Sequence, residues 1–204
     1  MNKIITISRE FGSGGREIGK RLADKLGFYY YDREIITKIA NEVGFSEEYV
    51  KNISEKGVYS YPFQFAKSFV SYSNLQSNQT EILVAQQKVL KEIAKKGDCI
   101  IVGRGANVIL KEYNPMNIFV YADTYSKIER CRKKAREDEN LTDKEIENKI
   151  IQIDKGRKNY HNIISNIEWG DKRNYHLCIN TSGIEVKRVI PSLAEYIKDW
   201  FGGK

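Results

Sequence analysis

Short apolar runs and longer amphipathic stretches alternate along the chain. The short runs are rich in β-branched or aromatic residues and are bounded by polar or glycine-containing segments, which predicts buried strands. They are too short to cross a bilayer. The predicted strands cover residues 3–8, 28–32, 99–102, 117–122 and 175–182.

The stretches between the strands carry apolar residues at helical spacing. After the first strand, Ile18, Leu22 and Leu26 follow one another at intervals of four residues, and Gly27 is suited to end that helix. Strands alternate with helices, and several strands look apolar on both faces. The pattern therefore predicts a three-layer α/β fold, in which helices cover both faces of a parallel sheet of about five strands. Further helices are predicted over residues 32–44, 81–96, 124–160 and 185–201.

Two stretches depart from this regular alternation. Residues 56–80 are rich in Tyr, Phe, Ser, Asn and Gln without clear periodicity, which favours an insert of loop and irregular helix. Residues 124–160 are strongly charged and helical but lack sustained heptads, which favours a solvated helix pair or a lid over a coiled coil. The length predicts that residues 1–204 form a single domain that includes both stretches.

Composition and charge narrow the function classes. The formal net charge of +7 suits an anionic partner such as a nucleotide or a nucleic acid, or else a basic solvated surface. The three cysteines are widely spaced without a CxxC pair, so neither a disulfide framework nor a zinc site is expected. The start of the chain has no apolar region of signal-peptide length, and we expect a cytoplasmic protein without membrane segments.

A glycine-rich loop, FGSGG at residues 11–15, connects the first strand to the first helix. In α/β folds ligands bind beyond the carboxyl ends of the strands, where this loop lies. Glycines let backbone N–H groups approach phosphate oxygens, and the helix N-terminus favours an anion. The loop is therefore predicted to bind a nucleotide phosphate, with a tight strand-to-helix turn as the alternative. The predicted phosphate-binding residues are Arg9, Gly12, Ser13, Gly14, Gly15 and Arg16.

The loop differs from the Walker A motif, G-x-x-x-x-G-K-[ST]. When Gly14 is aligned to the second glycine of the motif, Arg9 stands in place of the first glycine. Gly15 then stands in place of the lysine, and Arg16 in place of the serine or threonine. Arg16, at the helix start, is the first candidate to replace the lysine charge, and Arg9 is the second. Ser8 or Ser13 could supply the missing Mg²⁺-binding hydroxyl.

The segment ISREFGSGGREIGKRLADKLGFYYYDREII, residues 7–36, resembles the cytidylate kinase-like family, a branch of the nucleoside monophosphate kinases. The resemblance extends over nearly the whole chain. It implies a P-loop NTPase fold, ATP as phosphoryl donor, Mg²⁺ as cofactor and a nucleoside monophosphate as acceptor. It also implies that residues 56–80 form an acceptor-site insert and residues 124–160 a lid.

The resemblance further implies roles for individual residues. In cytidylate kinases a strand ends in Gly-Arg-Asp, whose arginine holds the acceptor phosphate, and its counterpart here is Arg104 in a Gly-Arg-Gly sequence. Asp154 and Arg157 match an Asp-x-x-Arg that contacts the acceptor nucleotide; on a helix the two could also simply pair with each other. Where the family has an arginine four residues before that aspartate, this chain has Ile150.

Charged residues near the second strand and in the lid complete the predicted site. Asp32 matches an aspartate near the acceptor site of these kinases and could position Mg²⁺ or the acceptor, and Arg33 could bind the acceptor phosphate or pair with Asp32. Lid arginines of such kinases clamp the transferring phosphate, for which Arg130, Arg132 and Arg136 are available, with an exposed basic helix as the alternative. The predicted catalytic residues are Arg16, Asp32, Arg104, Arg132 and Arg136.

Three functions are left open by the sequence. ATP-dependent phosphoryl transfer to a nucleoside monophosphate fits the resemblance. A non-catalytic nucleotide sensor or pseudo-kinase fits the missing lysine and hydroxyl. A nucleic-acid-binding protein fits the net charge, but no nucleic-acid-binding module is recognisable, so nucleic acid is not an expected partner. Small-molecule nucleotides are the expected partners, no protein metal site is predicted, His161 and His176 are expected to be structural, and a homodimer is left open.

Overall fold

A parallel sheet lies at the centre of the protein, of which the computed structural model describes residues 2–56, 69–135 and 141–203. The strands are β1 (Ile4–Arg9), β2 (Tyr29–Tyr31), β3 (Cys99–Val102), β4 (Met116–Tyr121) and β5 (Leu177–Asn180). They form one five-stranded sheet in the order β2-β3-β1-β4-β5, with every neighbouring pair parallel. The carboxyl ends of the strands therefore share one edge of the sheet.

Helices connect the strands and cover both faces of the sheet, as the sequence predicts for a three-layer α/β fold. None of the described helices is long and apolar enough to span a membrane. The helices are α1 (Gly15–Leu26), α2 (Glu34–Val43), α3 (Glu47–Lys56), α4 (Phe69–Lys96), α5 (Ala106–Ile109), α6 (Thr124–Lys134), α7 (Asp143–Ile164) and α8 (Val186–Gly202).

Two apolar clusters hold the layers together. Successive strand residues point to opposite faces, so β1 and β3 contribute to both clusters. Ile5 and Ile7 pack with α1 and α8 on one face, whereas Ile4 and Ile101 pack with α2 and α4 on the other. Both faces of β1 are buried, so even its polar residues Thr6 and Ser8 are only 1% and 7% exposed.

Local signals define two helix ends that matter for the site. Gly27 adopts a φ of 73° and its N–H donates to the carbonyl of Ala23, which ends α1 at the predicted residue. At the start of α7, the Thr142 hydroxyl accepts from the N–H of Glu145, and the Glu145 side chain accepts from the N–H of Thr142.

The region before β3 differs from the sequence prediction. α4 begins at Phe69, so residues 69–80 continue the helix predicted over residues 81–96, where the sequence predicts an insert of loop and irregular helix. Residues 57–68 of that insert lie outside the described part of the chain. The helix had no apolar periodicity to reveal it, and a tertiary contact supports it instead: Asn78 donates a hydrogen bond to the Tyr49 hydroxyl of α3 at 3.2 Å. No sequence pattern predicted α3 itself.

Candidate functional site

The glycine loop turns the chain from β1 into α1 through two left-handed residues. Gly12 and Gly14 have φ values of 77° and 84°, a conformation that favours glycine. A side chain at Gly14 would also come within 2.6 Å of Val186 Cγ2. The backbone N–H groups of Gly14, Gly15 and Arg16 donate to no acceptor among the described residues. They lie at the N-terminus of α1, which is the geometry of an anion site.

Other polar groups of this loop are engaged within the protein. Ser13 is completely buried, and its hydroxyl donates to the carbonyl of Glu10 at 2.8 Å. The hydroxyl of Ser13 thus closes the turn, which does not fit its predicted role as a Mg²⁺ ligand. The N–H of Phe11 donates to Oδ1 of Asp154 at 2.7 Å. Hydrogen bonds within the protein therefore use the polar groups of Phe11 and Ser13. The N–H groups of Gly14, Gly15 and Arg16, at the start of α1, are left for a ligand.

Arg9, the last residue of β1, passes beneath the start of α1. A Cβ at Gly15 would lie 2.6 Å from Arg9 Cβ, so the Arg9 side chain fills the space beside this glycine. Its guanidinium lies against Gly103 at the end of β3, where a Cβ would overlap it. Arg9 Nε is buried and has no hydrogen-bond partner among the described residues. Burial, together with the nearby charges of Arg157 and Arg104, lowers the pKa of Arg9 to about 9. An anion bound here would offset that unfavourable environment.

Arg104 follows β3 in a strained turn. Gly103, Arg104 and Gly105 have φ values of 78°, 59° and 61°, and a left-handed residue other than glycine costs roughly 1–3 kcal/mol. Gln86 of α4 holds the turn, because its Nε2 donates to the Arg104 carbonyl at 2.8 Å and also to the Tyr160 hydroxyl of α7. The Arg104 residue is only 8% exposed. The turn therefore places a buried arginine at the carboxyl edge of the sheet, where the acceptor phosphate was predicted.

Asp154 and Arg157 join α7 to the glycine loop. Arg157 Nη1 donates to the Arg9 carbonyl at 2.9 Å and to Asp154 Oδ1 at 3.2 Å. Its guanidinium also lies over the Phe11 ring, 5.7 Å from the ring centroid. Burial raises the pKa of Asp154, although Arg157 and the Phe11 N–H oppose this effect. The two residues thus pair with each other and position the loop, while Ile150, one turn earlier, is buried.

Arg16 and Asp32 form an ion pair that is near enough for both charges to act on the pKa of Arg9. Arg16 Nε donates to Asp32 Oδ2 at 2.5 Å. Asp32 is buried, whereas the Arg16 side chain is 45% exposed. Arg33 is exposed and lies along an open groove that it shares with Arg16 and Lys134. The fold thus pairs Asp32 with Arg16 instead of with its neighbour Arg33, because the end of β2 lies beside the first turn of α1.

Arg130 of α6 fastens the glycine loop to the segment that follows β5. Its guanidinium donates to the carbonyls of Gly12 at 3.4 Å and Ile184 at 3.1 Å, and also to the carbonyl of Thr181. Three backbone carbonyls therefore fix this side chain. The sequence offered it as a lid arginine, but its contacts make it a structural clamp on the glycine loop.

The two other predicted lid arginines are not placed in the site by the described structure. Arg132 is exposed and pairs with Asp143 at the start of α7 and, at 3.8 Å, with Glu129. These contacts fit the alternative of an exposed basic helix. Arg136 lies outside the described residues, so its role stays a prediction.

A narrow cleft of about 40 Å³ lies between the end of β1, the Arg104 turn and α7. Arg9, Arg104 and Arg157 place three guanidinium groups along it. Its remaining wall includes Trp169 and the buried His161, whose pKa is lowered by burial. Sequence reasoning missed Trp169 and treated His161 as structural. No local pattern could have found them, because α7 and the turn after it reach the cleft only in the folded chain.

The described residues do not suit a Mg²⁺ ion held by the protein alone. No group of three or more His, Cys, Asp and Glu residues within the described ranges is placed to hold a metal. In kinases Mg²⁺ takes one or two carboxylates together with substrate phosphates and water. Asp32, the buried carboxylate beside the glycine loop, is paired with Arg16. A Mg²⁺ ion would therefore reach this site as a complex with nucleotide phosphates.

Comparisons with known proteins agree with this fold. The family model described as the cytidylate kinase-like family matches residues 4–183. An uncharacterized protein from Eubacterium ventriosum ATCC 27560, known from its crystal structure, is 29% identical to this chain with a TM-score of 0.71. The match covers 98% of this chain and 99% of that chain. No curated protein matches the sequence.

Two shikimate kinases share the architecture at lower identity. The enzyme from Bacteroides thetaiotaomicron is 16% identical with a TM-score of 0.56, and the match covers 99% of each chain. The enzyme from Acinetobacter baumannii, in complex with shikimate, is 15% identical with a TM-score of 0.52 over 97% of this chain and 93% of its own. Such low identity shows the P-loop kinase fold alone. The family match over residues 4–183 goes further: the chain belongs to the cytidylate kinase-like family.

Proposed function

We propose that the protein transfers the γ-phosphoryl group of ATP to a nucleoside monophosphate. The observation that carries this proposal is the convergence of Arg9, Arg104 and Arg157 on one cleft beside the glycine loop. Two anion-binding regions at one sheet edge suit a reaction between two phosphates, because phosphoryl transfer depends mainly on positioning and charge neutralisation. Membership of the cytidylate kinase-like family supports the same reaction class.

The glycine loop is the proposed ATP site. The N–H groups of Gly14, Gly15 and Arg16, together with the dipole of α1, would bind the β-phosphate. α6 covers the loop closely, since a Cβ at Gly12 would lie 3.0 Å from Lys127 Cβ. Mg²⁺, bound by the ATP phosphates, would neutralise part of their charge.

Arg104 and Arg157 are the proposed ligands of the acceptor phosphate. A guanidinium can bind two phosphate oxygens at once through its planar fork. Asp154 holds Arg157 and the loop in place, so its proposed role is positioning instead of contact with the acceptor. Trp169 lines the same cleft, and an aromatic side chain suits the nucleoside part of the acceptor. A role for Arg33 at the acceptor phosphate finds no support in its place along the open groove.

The proposed reaction is a direct transfer between phosphates. An oxygen of the acceptor phosphate bonds to the γ-phosphorus of ATP while the bond from that phosphorus to the β–γ bridging oxygen breaks. ADP leaves with the electron pair, and the acceptor becomes a nucleoside diphosphate. A fully ionised acceptor phosphate needs no general base.

Two segments are proposed to cover the site. Family membership supports a lid over residues 124–160 and an acceptor-site insert over residues 56–80.

A nucleotide sensor without catalysis is the second candidate function. Two observations favour it: Gly15 stands where the Walker A motif has its lysine, and the Ser13 hydroxyl closes the turn of the loop. Both features remove parts that P-loop enzymes use to hold the β- and γ-phosphates with Mg²⁺.

One pair of measurements separates the two candidates. The protein is incubated with ATP, Mg²⁺ and a panel of nucleoside monophosphates, and ADP and nucleoside diphosphate are quantified. Calorimetry measures ATP binding in parallel. If the protein is a kinase, at least one nucleoside monophosphate should give ADP and nucleoside diphosphate in equal amounts. Tight ATP binding without turnover of any monophosphate would replace the kinase proposal with the sensor.

A further inference from the structure

Two departures from the Walker A pattern meet in space. Arg9 stands where the motif has its first glycine, and Gly15 stands where it has its lysine. A Cβ at Gly15 would lie 2.6 Å from Arg9 Cβ and 3.0 Å from Arg9 Cγ. These carbons are the rigid base of the arginine side chain and cannot swing away as its tip could. A lysine at residue 15 therefore does not fit while residue 9 is an arginine.

The Arg9 side chain leads from this contact into the cleft. Its guanidinium reaches Gly103, next to the Arg104 turn, and its buried Nε has no partner among the described residues. Arg157 holds the backbone of Arg9, because its guanidinium donates to the Arg9 carbonyl at 2.9 Å. Arg9 thus starts at the glycine loop and ends at the proposed acceptor site, which is the path that links donor and acceptor phosphates.

Arg16 is the competing cation. It is nearest to the missing lysine in sequence, but Asp32 neutralises it and its side chain is about half exposed. Arg16 lines the open groove and Arg9 lines the cleft. The contacts favour Arg9 over Arg16 as the cation that faces both phosphates.

We propose that Arg9 is a catalytic residue that replaces the Walker A lysine from the opposite end of the loop, and that residue 15 is glycine because the Arg9 side chain occupies the space beside it. This inference rests on the proposed phosphoryl transfer. The Arg9 guanidinium contacts the γ-phosphoryl group and stabilises its charge while the bond to the bridging oxygen breaks and the bond to the acceptor oxygen forms. Its planar fork can hold two oxygens during this step.

A swap of the two residues tests the proposal in four proteins: the wild type, Arg9→Gly, Gly15→Lys and the double variant. Arg9→Gly is expected to lower kcat roughly 100- to 1000-fold, the effect of removing one group that stabilises transition-state charge. Gly15→Lys alone is expected to be impaired because its Cβ meets Arg9. The double variant has the first glycine and the lysine of the Walker A motif, so it should exceed the kcat of Arg9→Gly by roughly tenfold or more, a non-additive effect of residues in contact. Arg21→Ala, an exposed α1 arginine that pairs with Glu17 at 3.0 Å, is the matched control and should keep the wild-type kcat.

Each variant is also checked by thermal unfolding. If Arg9→Gly does not fold, Arg9→Met takes its place, because methionine keeps an apolar stem without the charge. A wild-type kcat in the folded Arg9 variant overturns the proposal, and so does a double variant no more active than Arg9→Gly. Loss of turnover in Arg16→Ala but not in Arg9→Met would assign the role to Arg16.

Failure of the proposed function would look different. If the wild type transfers no phosphoryl group, ATP and AMP affinities measured by calorimetry replace kcat as the readout. Arg9→Met should then weaken ATP binding roughly tenfold or more beyond its effect on AMP, because AMP lacks the β- and γ-phosphates. Equal effects on ATP and AMP would overturn the role of Arg9 whatever the reaction is.

Discussion

Gln86 is expected to control both the stability of the protein and the position of Arg104. Its Nε2 donates to the Arg104 carbonyl at 2.8 Å and to the Tyr160 hydroxyl, and all three residues are buried. Gln86→Leu keeps a similar volume but removes this donor from both oxygens. A buried polar group that loses its partner costs roughly 1–3 kcal/mol, so the two together should lower the free energy of unfolding by about 2–6 kcal/mol.

The same substitution should also reach the cleft. Arg104 has a φ of 59°, and the Gln86 hydrogen bond helps to hold this unfavourable conformation. Without that bond, the turn can relax towards an ordinary φ and carry the guanidinium out of position. Gln86→Leu is therefore expected to weaken monophosphate binding although Gln86 is not a proposed ligand.

Urea unfolding followed by circular dichroism measures the first effect. Thermal unfolding gives a second measure: 1 kcal/mol shifts Tm by roughly 2–4 °C for a chain of this size, so Tm should fall by roughly 4–24 °C. Gln87→Leu is the matched control: it is the same change at the next residue of α4, on an exposed side chain, and it should stay within about 0.5 kcal/mol of the wild type. Calorimetry with a monophosphate measures the second effect.

Equal stability of Gln86→Leu and Gln87→Leu would refute the stability argument. A destabilised Gln86→Leu protein that still binds the monophosphate with wild-type affinity would refute the link to Arg104. The two outcomes can be told apart, because unfolding measures the loss of stability and calorimetry measures binding by the protein that remains folded.

Three further predictions concern the site. Arg104→Ala should weaken monophosphate binding by roughly 1–3 kcal/mol in calorimetry, the range of a hydrogen bond to a charged group. Arg173→Ala, at an exposed arginine, should leave the affinity unchanged, and equal affinities of the two variants would remove Arg104 from the site. A crystal grown in sulfate should show the anion at the N–H groups of Gly14, Gly15 and Arg16, and a loop without it under saturating sulfate would count against the anion site. Burial lowers the pKa of His161 below 6.5, so the unfolded chain binds more protons than the native protein just below that pH. The free energy of unfolding should therefore decrease as the pH falls below about 6.5, and His161→Gln should flatten this dependence; an unchanged slope would contradict it.

The strands, α1 and the glycine loop could be predicted because their signals are local. A run rich in β-branched residues such as residues 3–8 indicates a buried strand, and Gly27 marks a helix end through its own backbone freedom. The start of α4 could not be predicted in this way. Its first turns carry polar residues without periodicity, and a contact such as that of Asn78 with Tyr49 supports the helix from outside.

The sequence by itself determined the layered α/β architecture and the place of the phosphate loop, and it pointed to Arg104. The tertiary structure alone decided which charges meet. Asp32 pairs with Arg16, and Asp154 reaches the Phe11 N–H across 143 residues of sequence. These partners depend on which strand ends and helices the parallel sheet brings together at one edge. Neither the residue types nor their spacing in the sequence indicates which elements those are. The periodicity of apolar residues indicates which face of a single helix or strand is buried. The direction of the Arg9 side chain depends instead on the space beside Gly15, which belongs to a different element, α1.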